Sequence, residues 1–260
     1  MTQLSNKTVL ITGATGGFGR QFTEQLLAKG CKLILTDYDE STLSAYRESL
    51  NTQNILAAVT SDLSTPTGAD QLFEQTQSIG SVDVLINNAG IAVMGRHDEV
   101  PRDEWDRLMQ VNLMAPMRLC ALYSPKMIEQ REGHIVNISS VAGWIGPRGL
   151  GAYAASKHGL RGFSASLRDE LKPFNVMVSA VYPYFSDTPI LDSPQFGSFA
   201  EEQQQNDLRG VTDPADVVRR AIEGIEADRL HIYPDPTARL LVRLQRFAPW
   251  LLPFLERSLG

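Results

Sequence analysis

The sequence predicts a doubly wound α/β domain with a parallel central sheet. Short apolar segments alternate with segments of helical periodicity, and the apolar segments are continuous rather than alternating in polarity. Continuous apolar strands are typical of parallel sheets that helices cover on both faces. No internal repeat or linker interrupts the pattern, and one such domain can reach a length of 260 residues. We therefore expect a single domain over residues 1–233, followed by an amphipathic helical tail over residues 234–260.

The predicted strands are short and rich in β-branched residues, whereas the predicted helices carry apolar residues on one face. Glycine or proline marks several helix ends. In chain order, we predict strands at 7–12, 31–36, 55–59, 82–86, 133–139, 176–182 and 230–233. We predict helices at 17–29, 39–50, 66–79, 101–131, 152–171 and 214–227. Residues 183–212 are rich in Pro, Gly, Ser and Gln, and we expect an irregular substrate-binding loop there.

The composition excludes several classes of protein. A net charge of −6 argues against a primary nucleic-acid binder, which needs a basic surface. Two cysteines, Cys31 and Cys120, are too few for a disulfide framework and favour a reducing compartment. The four histidines lack metal-ligand spacing, so we predict no metal site. We see no signal peptide and no apolar run long enough to cross a bilayer, and we expect a cytoplasmic protein.

A glycine-rich turn joins the first strand to the first helix. Residues 12–19 read Thr-Gly-Ala-Thr-Gly-Gly-Phe-Gly. Glycines at this place let the backbone turn sharply and approach a pyrophosphate, which the N-terminus of the helix then faces. An ordinary glycine-rich turn is the alternative, and the strand–turn–helix context disfavours it.

Asp37 ends the second strand and favours NAD over NADP. A carboxylate there accepts hydrogen bonds from both hydroxyls of an adenosine ribose and repels a 2′-phosphate. No Arg or Lys lies between Ala14 and Phe18, or at Tyr38, to neutralise such a phosphate. Asp37 could also serve only as a cap of the next helix, a role that does not exclude the ribose contact.

Tyr153 and Lys157 are four residues apart on a predicted helix and therefore share a face. Ser140 follows the fifth strand, at the end of the sheet where ligands bind in open α/β folds. A lysine about 4 Å from a tyrosine favours the phenolate by roughly 4 kcal/mol, or about 3 pKa units. We therefore expect Lys157 to bring the pKa of Tyr153 near neutrality. A surface Tyr–Lys pair is the alternative.

Asn112 lies in the long predicted helix, four residues before Pro116. A proline has no N–H, so it cannot bond the carbonyl of Asn112, and the helix should kink there. The freed carbonyl can hold an ordered water. A kinked helix with a merely hydrated carbonyl remains the alternative to a functional role.

Together these features resemble the short-chain dehydrogenase/reductases, in the compact single-domain branch with a Rossmann-like fold. The matching motifs, in chain order, are Thr12-Gly13-x-x-x-Gly17-x-Gly19, Asp62, Asn87-Asn88-Ala89-Gly90, Asn112, Ser140 and Tyr153-x-x-x-Lys157. The resemblance implies an oxidoreductase that transfers a hydride between NAD and a secondary alcohol or ketone. It also implies a homodimer or homotetramer built through two long helices.

The resemblance implies a role for each catalytic residue. Tyr153 is the general acid/base, and Ser140 hydrogen-bonds the substrate oxygen. Lys157 lowers the pKa of Tyr153 and holds the nicotinamide ribose, while Asn112 joins a proton relay through water to that lysine. The neighbouring Ser139 is interpreted as structural.

The resemblance implies a larger set of cofactor-binding residues. Asp62 contacts the adenine, and Asn88 supports the central strands and the cofactor loop. The full set is Gly13, Thr15, Gly16, Gly17, Phe18, Gly19, Asp37, Asp62, Leu63, Asn88, Ala89, Gly90, Tyr153, Lys157, Pro183 and Thr188.

The chain departs from the family pattern after the sixth strand. Pro183 and Thr188 match, but Tyr184 replaces the usual glycine and Ser186 replaces an aliphatic residue. Tyr184 removes the conformational freedom of glycine and adds bulk near the nicotinamide. Halohydrin dehalogenases also have bulky residues here, but they lose the glycine motif and the lysine that this chain retains. A dehalogenase-like lyase and a non-catalytic NAD-binding regulator are therefore the alternatives.

The candidate substrate-binding residues are mostly apolar, which favours a lipophilic secondary alcohol or ketone. No Arg or Lys lies between Tyr182 and Gln205 to bind a phosphate or carboxylate. Some of these side chains could instead belong to the core. The candidates are Ser140, Val93, Met94, Trp144, Ile145, Tyr184 and Phe185, with Phe196 and Phe199 from the loop.

The tail combines an apolar stripe with a basic one. Residues 234–260 carry a net charge of +2. Three interpretations compete: packing on the parent domain or another subunit, a peripheral helix on an anionic membrane, and a lid over the substrate entrance. The apolar stripe is Leu240, Leu241, Leu244, Phe247, Ala248 and Leu251, and the basic stripe is Arg239, Arg243 and Arg246.

Overall fold

A parallel sheet lies at the centre of the structure, as the continuous apolar segments predict. The computed structural model describes residues 1–198 and 212–251. The strands are β1 Thr8–Thr12, β2 Lys32–Asp37, β3 Ile55–Thr60, β4 Val84–Asn87, β5 Met94–Gly95, β6 Gly133–Ile138, β7 Val176–Val181, β8 Gln195–Phe196 and β9 His231–Ile232. The helices are α1 Gly17–Ala28, α2 Glu40–Ser49, α3 Gly68–Gln77, α4 Arg102–Met109, α5 Ala115–Gln130, α6 Gly151–Leu171, α7 Pro214–Glu226 and α8 Pro236–Phe247.

Seven strands pair in parallel in the order β3-β2-β1-β4-β6-β7-β9. The seven predicted strands and six predicted helices are all present, each within two residues of its predicted ends. The chain moves from β1 outward to β3 and then returns to place β4 on the other side of β1. This reversal opens a crevice at the carboxyl ends of β1 and β4, where open α/β sheets bind ligands.

Alternate residues of β1 supply the cores on the two faces of the sheet. Val9 and Ile11 pack in one cluster with Phe22 of α1, whereas Leu10 packs in another with Leu119 of α5. The period of two along a strand sends neighbouring side chains to opposite faces, so both faces of β1 are buried. The sheet therefore has helices on both sides.

A π-helical turn, Gln110–Met114, separates α4 from α5. The N–H of Ala115 bonds to the carbonyl of Gln110, five residues earlier. Pro116 cannot donate to Asn112, and a π turn is one way that a helix accommodates such a missing bond. The predicted irregularity therefore takes the form of a π-helical turn rather than a simple break.

The C-terminal helix α8 packs on the domain through only part of the predicted apolar stripe. Its N-terminus is capped by Asp235, which accepts a bond from the N–H of Ala238 (2.6 Å). Ala238, Leu241 and Val242 are buried, whereas Leu240 and Phe247 of the predicted stripe are exposed. The predicted stripe therefore divides: Leu241 and Leu244 pack against the domain, and Leu240 and Phe247 do not.

Two short strands, β5 and β8, pair outside the main sheet and were not predicted. β8 and the 3₁₀ turn Pro189–Asp192 lie within the segment expected to be irregular. Among residues 1–198 and 212–251, we find no helix that is long and apolar enough to cross a membrane. The same residues contain no cluster of potential metal ligands.

Candidate active site

One cavity of about 820 Å³ opens at the carboxyl ends of the central strands and brings most of the predicted site residues together. It extends from the glycine-rich turn and Asp37 to Ser140, Tyr153 and Lys157. The predicted residues on its wall are Gly13, Thr15, Gly16, Gly17, Phe18, Asp37, Asp62, Leu63, Asn88, Ala89, Gly90, Met94, Ser140, Ile145, Tyr153, Lys157, Pro183, Tyr184, Phe185 and Thr188.

The glycine-rich turn is held tightly against the loop after β4. Gly13 has a φ of +65°, and a Cβ there would lie 2.9 Å from the Cα of Ala89. The amide of Asn88 donates to the carbonyls of Thr12 (2.9 Å) and Gly13 (3.0 Å), which fixes the turn to the neighbouring strand. The backbone positions that a pyrophosphate would approach are therefore set by the strands.

Gly19 is the one glycine of the motif that does not line the cavity. A Cβ on Gly19 would overlap the carbonyl oxygen of Gly13 and lie 2.8 Å from the carbonyl carbon of Ala14. Gly19 therefore lets α1 pack directly on the turn. This position supports the cofactor loop from behind.

Asp37 is fixed at the edge of the cavity by three donors. Its carboxylate accepts bonds from the N–H of Thr15 (2.9 Å), the hydroxyl of Thr15 (2.6 Å) and the N–H of Tyr38 (2.8 Å). The following helix is capped by Asp39 instead, through the N–H of Thr42. The cap alternative for Asp37 therefore has no support in the structure.

Lys157 is a buried cation, 3% exposed, on the inner face of α6. Its ammonium donates to the carbonyl of Ile138 at 2.9 Å and lies 5.5 Å from the centroid of the Tyr153 ring. Ser139 also bonds to this helix, because its hydroxyl donates to the carbonyl of Lys157 (3.1 Å). Ser140 instead lies on the cavity wall with Tyr153, and its hydroxyl accepts a bond from the N–H of Ala142 (3.1 Å).

Burial dominates the protonation of the Tyr–Lys pair. It lowers the pKa of Lys157 to about 8. It raises the pKa of Tyr153, and the nearby Ser140 hydroxyl only partly opposes this rise. The expectation that Lys157 brings the pKa of Tyr153 near neutrality is therefore wrong for the protein alone. Burial of the phenol raises its pKa by more than the Lys157 cation lowers it, because the ammonium donates its hydrogen bond to Ile138 rather than to the phenol.

Asn112 is fully buried in the π-helical turn and does not line the cavity. Its amide bonds to Ile91 in both directions, accepting from the N–H (2.9 Å) and donating to the carbonyl (2.8 Å). A Cβ on Gly90 would lie 3.4 Å from the Asn112 side-chain oxygen and 3.5 Å from the Lys157 nitrogen. Asn112 therefore fixes the loop that Lys157 approaches.

Three predicted substrate-binding residues lie away from the cavity wall. Val93 is buried in an apolar cluster with Val100 and Leu108, and Phe196 packs against the same cluster. Trp144 lies beside Tyr182, with the guanidinium of Arg161 4.1 Å above its ring. These side chains belong to irregular segments and pack into the core. Sequence spacing does not specify the direction of a side chain in such a segment. Phe199 lies outside the described residues.

The wall also includes residues that sequence reasoning missed. Arg107 is one helical turn before Val111, and both line the cavity. The spacing of four residues between Arg107 and Val111, which puts them on one helix face, was the sequence feature that could have identified Arg107. Ile190, Leu191 and Gln195 come from the loop, where no periodicity identifies them.

The chain matches the model of a known family. The model for short chain dehydrogenases matches residues 7–195. A short-chain dehydrogenase/reductase from Burkholderia phymatum, solved with NAD, is 29% identical, with a TM-score of 0.86 and 97% coverage of both chains. A short-chain dehydrogenase from Sphingobium yanoikuyae, solved with NADPH, is 29% identical (TM-score 0.81, 95% of both chains). The bulky-bulky ketone specific alcohol dehydrogenase from Comamonas testosteroni is 26% identical (TM-score 0.79, 96% of this chain and 95% of that one).

Proposed function

Because this chain belongs to the short-chain dehydrogenase family, we propose that it transfers a hydride between NAD and a lipophilic secondary alcohol or ketone. One observation carries the proposal: a single cavity joins the glycine-rich turn and Asp37 to Ser140, Tyr153 and Lys157. The proposed dinucleotide site and the proposed proton-transfer site therefore share one cavity, as hydride transfer requires.

The residues present fit a nicotinamide dinucleotide. Gly13 lets the backbone turn sharply against Ala89, and the N-terminus of α1 follows directly, so its free backbone N–H groups are available to a pyrophosphate. Asp62 and Leu63 line the same end of the cavity. When bound, NAD supplies the hydride acceptor, and its reduced form supplies the donor. We propose that the cofactor-binding residues named above bind the dinucleotide.

The preference for NAD over NADP rests on Asp37. The related solved structures contain NAD in one case and NADPH in another, so the family leaves the choice open. The carboxylate of Asp37 is fixed where it would repel a 2′-phosphate. Arg20, the basic residue directly after the glycine-rich turn, donates to the carbonyl of Thr15 (2.8 Å) and stacks over Tyr46 (4.2 Å), away from the cavity wall.

In the proposed chemistry, Tyr153 exchanges a proton with the substrate oxygen while Ser140 hydrogen-bonds that oxygen. The raised pKa of Tyr153 keeps the phenol protonated in the free protein, as ketone reduction requires of a general acid. Lys157 remains mostly protonated at neutral pH and stabilises the phenolate once it forms. Asn112 fixes the adjoining loop and, as in the family, would join the relay of protons to Lys157.

The substrate end of the cavity favours an apolar molecule. Beyond Ser140, Tyr153 and Lys157, its wall includes Met94 and Tyr184. The further apolar members are Ile91, Val141, Ile145, Leu150, Phe185, Ile190 and Leu191. These apolar residues discriminate between substrates by size and shape. The resemblance to a ketone-specific alcohol dehydrogenase agrees with this class.

The test is cofactor binding and turnover with NAD⁺ and NADP⁺ against secondary alcohols of increasing size, with Tyr153→Phe as the control. We expect NAD⁺-dependent turnover that is lost in the Tyr153→Phe variant, and a weaker preference for NAD⁺ in Asp37→Ala. NAD⁺ binding without turnover on any alcohol would favour the regulator alternative. Failure to bind either cofactor would favour the dehalogenase-like lyase.

We also propose a homodimer or homotetramer in the cytoplasm, with residues 183–212 as the substrate-binding loop and 234–260 as an extension of the domain. Both cysteines are free and buried, which agrees with a reducing compartment. Light scattering would give the oligomeric state.

A further inference from the structure

The outward face of α8 and the turn that follows it combines exposed apolar and basic side chains. Leu240 is 56% exposed, Phe247 is 72% exposed and Trp250 is 67% exposed. Leu251 is also exposed. Large apolar side chains this exposed, concentrated within twelve residues, mark a surface for a partner or a membrane rather than ordinary scatter.

The same face carries a positive charge on an acidic protein. Arg239, Arg243 and Arg246 are exposed, and residues 236–251 contain no Asp or Glu. This segment therefore has a charge of +3, whereas the rest of the chain carries −9. None of the ion pairs within the part of the chain that the structure describes involves these arginines. The guanidinium of Arg246 lies 5.6 Å from the centroid of the Phe247 ring, so charge and apolar surface adjoin on this face.

We propose that this face, Arg239–Leu251, docks on an anionic lipid bilayer. Apolar side chains and tryptophan enter the interfacial region of a bilayer, and arginines contact lipid phosphates and anionic headgroups. A second copy docked through the same face by a two-fold axis would bring six arginines into one interface, where like charges repel. The combination of charge and apolar exposure therefore favours lipid over self-association.

The inner side of the same helix connects this surface with the cavity. Leu241 packs in a cluster with Val141, Ile145 and Tyr184, and these three line the cavity wall. Asp235 caps the helix and also accepts a bond from the N–H of Tyr184 (3.0 Å). Docking would hold the apolar wall of the cavity beside the bilayer, so that a lipophilic substrate dissolved in the lipid could enter the cavity directly. This part rests on the proposed function, whereas lipid binding itself does not.

The test is sedimentation of the full chain with vesicles of phosphatidylcholine, with and without phosphatidylserine. We expect binding only to the anionic vesicles. Replacing all three arginines by Gln (R239Q/R243Q/R246Q) should lower partitioning roughly a hundredfold, since each basic residue contributes about fivefold. Phe247→Ser should also lower it, without change in turnover of a water-soluble substrate.

Matched controls remove the same charge and a similar ring elsewhere. R47Q/R102Q/K172Q takes three exposed cations from other surfaces, and Phe174→Ser removes an exposed phenyl ring. Neither should change partitioning. Tyr153→Phe should bind vesicles normally, so loss of turnover is separable from loss of docking.

Three results would overturn the proposal. The first is that the wild type does not bind anionic vesicles. The second is that R47Q/R102Q/K172Q lowers vesicle partitioning as much as R239Q/R243Q/R246Q does. The third is an oligomer in sedimentation velocity that R239Q/R243Q/R246Q dissociates, with no vesicle binding. The last result would assign the face to a second copy.

Discussion

Replacing Lys157 by Met should change how stability depends on pH. The pKa of Lys157 is about 8 in the folded protein, against an ordinary value of 10.5. At about 1.4 kcal/mol per pKa unit, this difference corresponds to a cost of about 3 kcal/mol for holding the charge in the fold at neutral pH. The unfolded chain binds more protons at this site between the two values, so the cost is present below about pH 8 and disappears as the pH rises toward 10.5.

The assay is urea unfolding of two proteins that both carry Tyr153→Phe, one with Lys157 and one with Lys157→Met. The Tyr153→Phe background removes the coupled phenol, and the other tyrosines and cysteines cancel in the difference. The loss of the hydrogen bond to Ile138 shifts the Met protein by a constant amount. We expect the Lys157 protein to gain roughly 2 to 3 kcal/mol relative to the Met protein between about pH 7 and pH 10. Parallel stability curves would refute the claim that Lys157 is held as a desolvated cation.

Three further substitutions test the framework around the site. Gly19→Ala should disrupt the glycine-rich turn and abolish NAD binding, because overpacking against backbone costs about 1–3 kcal/mol or more. Gly16→Ala is the control: a Cβ there has room, so this variant should keep the melting temperature of the wild type. Equal melting temperatures would contradict this. Gly162→Ala, in open space on α6, should stabilise the protein by about 1 kcal/mol in urea unfolding. Asn112→Ala should lower the free energy of unfolding by about 1–3 kcal/mol, because it leaves the Ile91 backbone unpaired, and unchanged stability with lost turnover would indicate a purely catalytic role.

The parts of the fold that local sequence determines were predictable. Strands such as β1 are continuous apolar segments because both of their faces are buried, and their periodicity therefore differs from that of the helices. The carboxyl ends of parallel strands meet at one edge, so Asp37 and Ser140 could be placed at the same cavity before the structure was known. Tyr153 and Lys157 share a face of α6, as their spacing of four predicts.

The directions of side chains in irregular segments were not predictable. Trp144 follows a short 3₁₀ turn, and its ring packs beside Tyr182, which is 38 residues away in the sequence. Such a contact depends on how two loops meet across the sheet. The pKa of Tyr153 also required the fold, because burial rather than the nearby charge determines its direction.

The departure at Tyr184 has a physical explanation in the C-terminal helix. A bulky residue at a position that is usually glycine would be expected to displace the loop and separate Thr188 from the cofactor turn. Instead, the N–H of Tyr184 bonds to Asp235 and its ring packs on α8, so the helix occupies the space beside the loop and holds it. Thr188 still lies against Gly17, where an added Cβ would be 2.8 Å from the Thr188 Cβ. Tyr184 and the C-terminal helix therefore pack as one structural feature, and together they build a cavity wall that leaves the cofactor turn intact.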